Sequence, residues 1–393
     1  MKRSAFAGVK PARRVRDLAL PEAIDAVARF TGPPEDPVDA AIARALATAP
    51  DGLAGQARLL RESSLVLRPG VVGDIALSAD GARLAVQYED RLLDIELPGG
   101  RVVGEYERRP APARPGLRGL VHLGDSIAAA DLDGARVYDG GRPVFVAGGA
   151  GCGVTPCGDG FAALRADGVV VRASAAGAVI WRSGRGTDPP GSARWIAGSP
   201  DGERVLAGAG RALVVLGARG EPVLSHPGTW TAAVFTGADR FVMLGVADDA
   251  QRLSAWRITG DALEADGFAA APYDDELDVL EGTGLLITAR ERYAPHWHDA
   301  QTLESVDDPG IGPQRGRPFP RGGGGRIAVV RGPAPGLGPS QVEVLPPPVY
   351  ALLHVPLGSL GPGDVDELDA FLEPGGSPVL EFLRALLAGE AAA

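Results

Sequence analysis

A recurring phrase, a set of Asp-Gly turns between short apolar runs, and a near-constant spacing of about forty residues predict an all-β fold. That fold is a seven-bladed β-propeller with an α-helical N-terminal extension and an α-helical C-terminal tail. The phrase is clearest in Asp74-Ile-Ala-Leu-Ser-Ala-Asp-Gly-Ala-Arg-Leu-Ala-Val86 and in Trp195-Ile-Ala-Gly-Ser-Pro-Asp-Gly-Glu-Arg-Val-Leu-Ala207, which share S-x-D-G-x-R in register. Weaker copies at 119–139, 153–174, 231–259, 276–305 and 319–332 bring the number of units to seven. The expected third strands centre near 94, 137, 170, 214, 256, 297 and 343, in steps of 43, 33, 44, 42, 41 and 46 residues. One blade is therefore shorter than the rest.

The extension, residues 1–68, is partly helical. Pro21 suits a first helical turn, and Ile24, Val27 and Phe30 share one face. The segment from Pro37 to Ala49 repeats the pattern with Val38, Ile42, Ala45 and Leu46, and 55–62 reads as a third, shorter turn. The region carries 11 basic and 8 acidic residues. Its start is basic but has no apolar segment of the kind a secretory signal needs.

The middle, 69–356, is the propeller. Asp-Gly occurs in it at 80–81, 133–134, 139–140, 159–160, 167–168, 201–202 and 266–267, and this dipeptide supplies the positive φ of tight hairpin turns. The tail, 357–393, is acidic and helical. Asp364-Val-Asp-Glu367 resembles a capping box, Leu368, Phe371 and Leu372 follow on one side, and Ser377-Pro378 opens a second helix after Pro374-Gly375-Gly376. Apolar stripes on both ends lead us to expect the N- and C-terminal helices to pack on each other or on one side of the ring.

Composition excludes several classes. Hydrophobic residues at 45% and charged residues at 23% rule out global disorder, and Gly 56 with Pro 34 disfavours a helical bundle. A net charge of −11 argues against non-specific binding to nucleic acid or anionic lipid. No run of eighteen apolar residues offers a membrane helix. A cytoplasmic protein, with neither nucleic acid nor membrane as partner, is the expectation.

The phrases S-A-D-G-A-R-L-A-V and S-P-D-G-E-R-V-L-A, followed by strands such as LSAWRIT or PHWHDAQTLES, resemble the degenerate WD40-like and YVTN-like β-propeller repeats of bacterial type. The Gly-His start and the Trp-Asp dipeptide of WD40 repeats are missing, so the buried His–Asp–Ser/Thr–Trp network of that family is not expected here. The resemblance implies a binding platform and leaves the activity open.

Few residues suggest chemistry. His296 and His298 lie two apart on an expected strand and are candidate metal ligands. A packing tryptophan, Trp297, flanked by two histidines is the reading we favour, and no metal or other cofactor is expected. Cys152 and Cys157 have neither the spacing of a redox pair nor a zinc partner pair. The Gly-rich segments 148–153 and 322–325 lack the Lys-Ser/Thr of a phosphate loop and read as turns. G-x-S-x-G is absent, and the acid pairs 248–249, 274–275 and 307–308 read as solvated turn charges.

The links between blades are more informative. Residues 107–119, 183–194 and 307–321 are net basic within a propeller of 27 basic and 35 acidic residues. Arginine and aromatic residues dominate binding hot spots. The candidates for protein binding are Arg108, Arg109, Arg114, Arg118, Arg194, Trp230, Tyr273, Arg315, Arg317 and Phe319. The expected function is a non-catalytic protein-binding scaffold in a bacterial-style multi-protein system, with other proteins as partners. A propeller hydrolase or lyase is the alternative if His296, His298 and the acids of 274–278 converge on one cavity. A third reading is an accessory subunit of a bacterial NTPase-linked conflict or chaperone system. The sequence leaves the oligomeric state open.

Overall fold

The computed structural model describes residues 18, 20–30, 37–48, 53–54, 57, 65–66, 72–88, 90–97, 100–111, 117–149, 153–183, 193–209, 212–247, 250–271, 276–289, 295–306, 320–324, 326–331, 341–345, 356–371 and 378–390. They divide between two compact units, Leu65–Asp308 with Gly312–Val344, and Met1–Ser64 with Pro309–Ile311 and Leu345–Ala393.

The first unit is the seven-bladed propeller: seven sheets of four antiparallel strands each. Blade 1 runs inner to outer through Val72–Leu77, Arg83–Tyr88, Arg91–Glu96 and Arg101–Glu107. Blade 2 uses Leu120–His122, Ile127–Asp131, Gly134–Tyr138 and Val144–Gly148, and blade 3 uses Gly153–Cys157, Gly160–Leu164, Val170–Ser174 and Val179–Arg182. Blade 4 is Ala193–Gly198, Val205–Ala209, Ala212–Leu216 and Pro222–Pro227. Blade 5 is the longest: Thr229–Phe235, Arg240–Ala247, Ala250–Thr259 and Ala262–Ala270. Blade 6 is Glu276–Leu280, Leu285–Ala289, His296–Asp299 and Ser305–Val306. Blade 7 takes Arg321–Gly323, Arg326–Arg331 and Gln341–Leu345, and its outer strand, Leu65–Val66, comes from the N-terminal side, with Leu65 opposite Val344. This strand closes the ring. It precedes residue 69, where the sequence reading starts the propeller, because two residues carry no alternation to read.

All seven third strands contain or adjoin the expected centres. The recurring phrase is a hairpin turn repeated in detail. In blade 1 the Ser78 hydroxyl donates to Asp80 Oδ1 at 2.6 Å and accepts from the Arg83 N–H at 2.9 Å, and the Ala82 N–H donates to Asp80 Oδ1 at 3.0 Å. In blade 4 Ser199, Asp201, Arg204 and Glu203 repeat these bonds at 2.6, 2.9 and 3.0 Å. Gly81 and Gly202 sit at φ 69° and 75°, the left-handed region that the turn requires.

The cores lie between blades. Ala85, Leu92 and Leu120 are buried between blades 1 and 2, Phe161 between blades 2 and 3, and Trp195 and Phe241 between blades 4 and 5. Ile95 of blade 1 packs with Val342 of blade 7. Neighbouring sheets therefore bury their faces against each other, the arrangement that makes repeat folds cooperative along the ring.

Arginines add polar staples between blades. Arg240 of blade 5 donates to Asp266 at 2.6 Å and to the carbonyls of Ala300 at 2.5 Å and Gln301 at 2.9 Å in blade 6. Arg83 is paired with Asp94, whose Oδ1 lies 3.2 Å from His122 Nε2 of blade 2.

The second unit is helical, with α1 at Leu20–Arg29, α2 at Pro37–Thr48, α3 at Pro362–Phe371 and α4 at Pro378–Glu390. Ile24 and Val27 of α1, Leu368 of α3, and Leu380, Phe382 and Leu383 of α4 share one buried cluster. The two ends of the chain thus pack on each other, as their apolar stripes predict. α3 starts before the expected Asp364. That carboxylate accepts from the Gly361 N–H at 2.6 Å and caps the helix from its first turn. No helix among the described residues is long and apolar enough to cross a membrane.

Candidate functional site

Two features of the propeller stand out: the central channel and an aromatic patch at blades 4 and 5. The channel holds a cavity of about 420 Å3, and all seven blades contribute to its wall. Small residues are among those that line it, including Gly73, Gly158, Gly198 and Ala233.

Charged side chains meet at this cavity. Asp278, on the inner strand of blade 6, accepts from Arg118 Nη2 at 2.5 Å and from Arg321 of blade 7. Arg118 Nη1 also reaches Glu281 Oε1 at 2.7 Å. Burial pushes the Asp278 carboxyl up, but Arg118 and Arg321 outweigh it and hold the group below the usual carboxylate range. Asp74 of blade 1 accepts from the backbone N–H groups of Gly119 at 2.7 Å and Leu120 at 3.1 Å, and its other oxygen lies 3.7 Å from Arg321. A Cβ at Gly119 would stand 3.0 Å from Asp74 Oδ2, the oxygen that accepts the two backbone bonds, so glycine gives the carboxylate its approach to the backbone. The network joins blades 1, 2, 6 and 7 across the channel. Among the described residues, two buried atoms of this network, Arg321 Nε and Glu281 Oε2, have no hydrogen-bond partner.

The aromatic patch gathers side chains from neighbouring blades. His226 of blade 4 lies 4.5 Å from the Trp256 ring and 5.7 Å from the Trp230 ring of blade 5. Phe268, on the outer strand of blade 5, stands edge-on to Trp256 at 6.4 Å and is 57% exposed, with the Arg252 guanidinium 6.0 Å above its ring. His226, Trp230 and Trp256 are half-buried. The indole N–H groups of Trp230 and Trp256 are buried and have no hydrogen-bond partner among the described residues. Burial holds the His226 imidazole below its ordinary pKa, which favours its neutral form.

The sequence candidates fall in different places. Arg108 is inside, with Nε 2.8 Å from Asp131 Oδ1 and both side chains fully buried. Arg109 is exposed. Arg118 lines the channel, paired with two acids, and Trp230 is in the aromatic patch. Arg194 lies on the inner strand of blade 4. Arg114, Tyr273, Arg315, Arg317 and Phe319 lie outside the described residues, as do Cys152, Asp248, Asp249, Asp274, Asp275, Asp307 and Asp308.

His296 and His298 are on the third strand of blade 6, where Trp297 and His298 are buried and His298 Nε2 lies 3.3 Å from the Thr288 hydroxyl. The described channel wall contains Glu276 and Asp278 but neither histidine. Among the described residues no group of three or more histidine, cysteine, aspartate or glutamate side chains is placed to hold a metal ion. Sequence reasoning missed His226, Trp256 and Phe268 as the other members of the patch that holds Trp230. The one signal in the sequence is the length of the unit that forms blade 5, whose third and fourth strands run to 10 and 9 residues and carry Trp256 and Phe268.

No protein-family model matches the chain, and no curated protein matches it. Among solved structures, the β-propeller domain of Myceliophteria thermophila Cps50 (Swd1) is similar, with a TM-score of 0.52 at 14% identity, covering 71% of this chain and 97% of that one. The likeness is one of fold. The chain is a seven-bladed β-propeller, as the repeats led us to expect.

Proposed function

We propose that the protein is a non-catalytic scaffold of the cytoplasm that binds another protein through the blade 4–5 face of its propeller. The observation that carries this reading is the half-buried cluster of His226, Trp230 and Trp256 capped by the exposed Phe268. Aromatic side chains in such a setting supply large contact area at low entropic cost, and they anchor most binding hot spots.

The surroundings fit the same use. The outer strand of blade 5, Ala262–Ala270, is nine residues long and terminates its sheet. A long edge of this kind accepts an extended segment of a partner through backbone hydrogen bonds. Exposed apolar side chains also collect on other outer strands, including Val102, Phe145 and Ile180. The channel charges, in contrast, are largely consumed by one another.

Cross-linked capture from the native host tests the proposal with three chains: the natural sequence, Phe268→Glu, and Phe145→Glu as a control on blade 2. A partner held by the first and third and lost by Phe268→Glu, with unchanged melting, supports it. Equal capture by all three contradicts it.

A further inference from the structure

The rim of the ring carries a second apolar surface, distinct in its residues from the aromatic patch. In blades 1 to 5 the outer strand slips by one residue against the third strand, leaving Val103, Val146, Ile180, Val223 and Asp266 as the extra residues. Such a bulge re-aims a side chain and interrupts the edge. Ile180 and Val223 are 50% and 44% exposed, and beside the buried Val146 stands Phe145, 53% exposed. Blade 5 differs: Asp266 is held by Arg240 at 2.6 Å, so the apolar series stops there. Over blades 2 to 4 the series is continuous, because the turn into each outer strand seats on the outer strand of the blade before. A Cβ on Gly177 of blade 3 would stand 2.9 Å from Val144 Cγ1 of blade 2, and one on Gly220 of blade 4 would stand 2.6 Å from Trp181 Cε3 of blade 3. Exposed apolar side chains in a contiguous series mark an interaction surface.

The occupant follows from what the rim offers. Backbone pairing is poor: the outer strands of blades 2 to 4 have 5, 4 and 6 residues against 9 in blade 5, each is bulged, and Pro222 and Pro227 bring no N–H. Recognition therefore runs through side chains, as when an amphipathic helix lays its apolar face on a surface. The charges available are cationic. Arg142, Arg182 and Arg219 are exposed, and none has an ion-pair partner among the described residues. The acids of the same turns are already engaged, Asp139 by the Gly141 N–H at 3.1 Å and Glu221 by the Arg219 N–H at 3.1 Å. We infer that the rim of blades 2 to 4 docks an amphipathic helix of a partner protein, apolar on one face and acidic along its flanks. Phe145, Ile180 and Val223 take the apolar face, and the three arginines take the carboxylates.

Fluorescence anisotropy on the full chain tests this with a labelled Ala-rich peptide of about 18 residues, with Leu at i, i+3, i+4 and i+7 and Glu beside them. A copy with Lys for Glu, a copy with a central Pro, and vesicles of equal parts phosphatidylserine and phosphatidylcholine are the comparisons. The expected result is saturable binding of the acidic peptide that weakens with added salt, about tenfold weaker binding of the Lys and Pro copies, and none to the vesicles. Ile180→Glu and Arg182→Glu, both at exposed positions, should each weaken the acidic peptide about tenfold without shifting the melting temperature, and Phe268→Glu should leave it unchanged. No binding of the acidic peptide, equal binding of the Lys or Pro copy, affinity kept in both rim variants, or binding to the vesicles instead overturns the inference. Loss in Phe268→Glu alone assigns the peptide to the blade 4–5 face and overturns it as well.

Discussion

Arg118 and Asp278 are 160 positions apart in sequence and 2.5 Å apart in space. The pair crosses the channel from the link before blade 2 to the inner strand of blade 6, and Arg321 joins it from blade 7. It therefore ties the early part of the ring to the blades that close it. A buried ion pair contributes little over a well-packed apolar substitute, but removing one partner leaves the others charged and unpaired.

Asp278→Asn should destabilise the propeller by about 3–5 kcal/mol near neutral pH. The sign with pH follows from the depressed carboxyl: its stabilisation is fully present above the unfolded-state value of about 3.9 and is lost as pH falls through the lower folded value. Chemical denaturation across pH should show the gap between the natural chain and Asp278→Asn closing in acid. A gap constant down to the acid limit contradicts the assignment.

The turn glycines separate two costs. Gly81→Ala places a side chain at φ 69° with its Cβ 2.6 Å from the Gly323 carbonyl oxygen of blade 7, whereas Gly260→Ala, at φ 60°, meets nothing within 4 Å. Gly260→Ala should cost only the left-handed penalty of about 1–2 kcal/mol, and Gly81→Ala clearly more. Denaturation midpoints that fall equally for both show that the blade 1–7 contact does not matter to stability.

Much of the ring was legible in the sequence because its turns are local. Ser78 with Asp80, and Ser199 with Asp201, make their bonds within five residues, so the pattern S-x-D-G-x-R is visible without a fold. The closing strand Leu65–Val66 was not, since its pairing with Val344 and Glu343 depends on the far end of the chain. The same holds for the charges. Arg108 and Arg118 read as surface cations because each stands in an Arg- and Pro-rich link between blades, and the acids that bind them are far away in sequence. Their partners, Asp131 and Asp278, are brought in by the next blade and by the opposite side of the ring. Trp230 could be singled out by residue type, but its packing with His226 and Trp256 requires the hairpins of two blades to be in register.

Cys157 is a free buried thiol, and burial pushes its pKa up to about 11. In a Cys152→Ser chain the remaining thiol should resist alkylation near neutral pH and react fully once the protein is unfolded. Rapid stoichiometric labelling of the native chain shows instead that the blade 3–4 core opens readily.

Hydrogen exchange on the complex with the captured partner tests the docking account most directly. Protection gained over Thr229–Phe235 and Ala262–Ala270, the strands that carry Trp230 and Phe268, is the result predicted. Protection confined to other blades or to the helical unit, with Ala262–Ala270 exchanging as in the free protein, would contradict it.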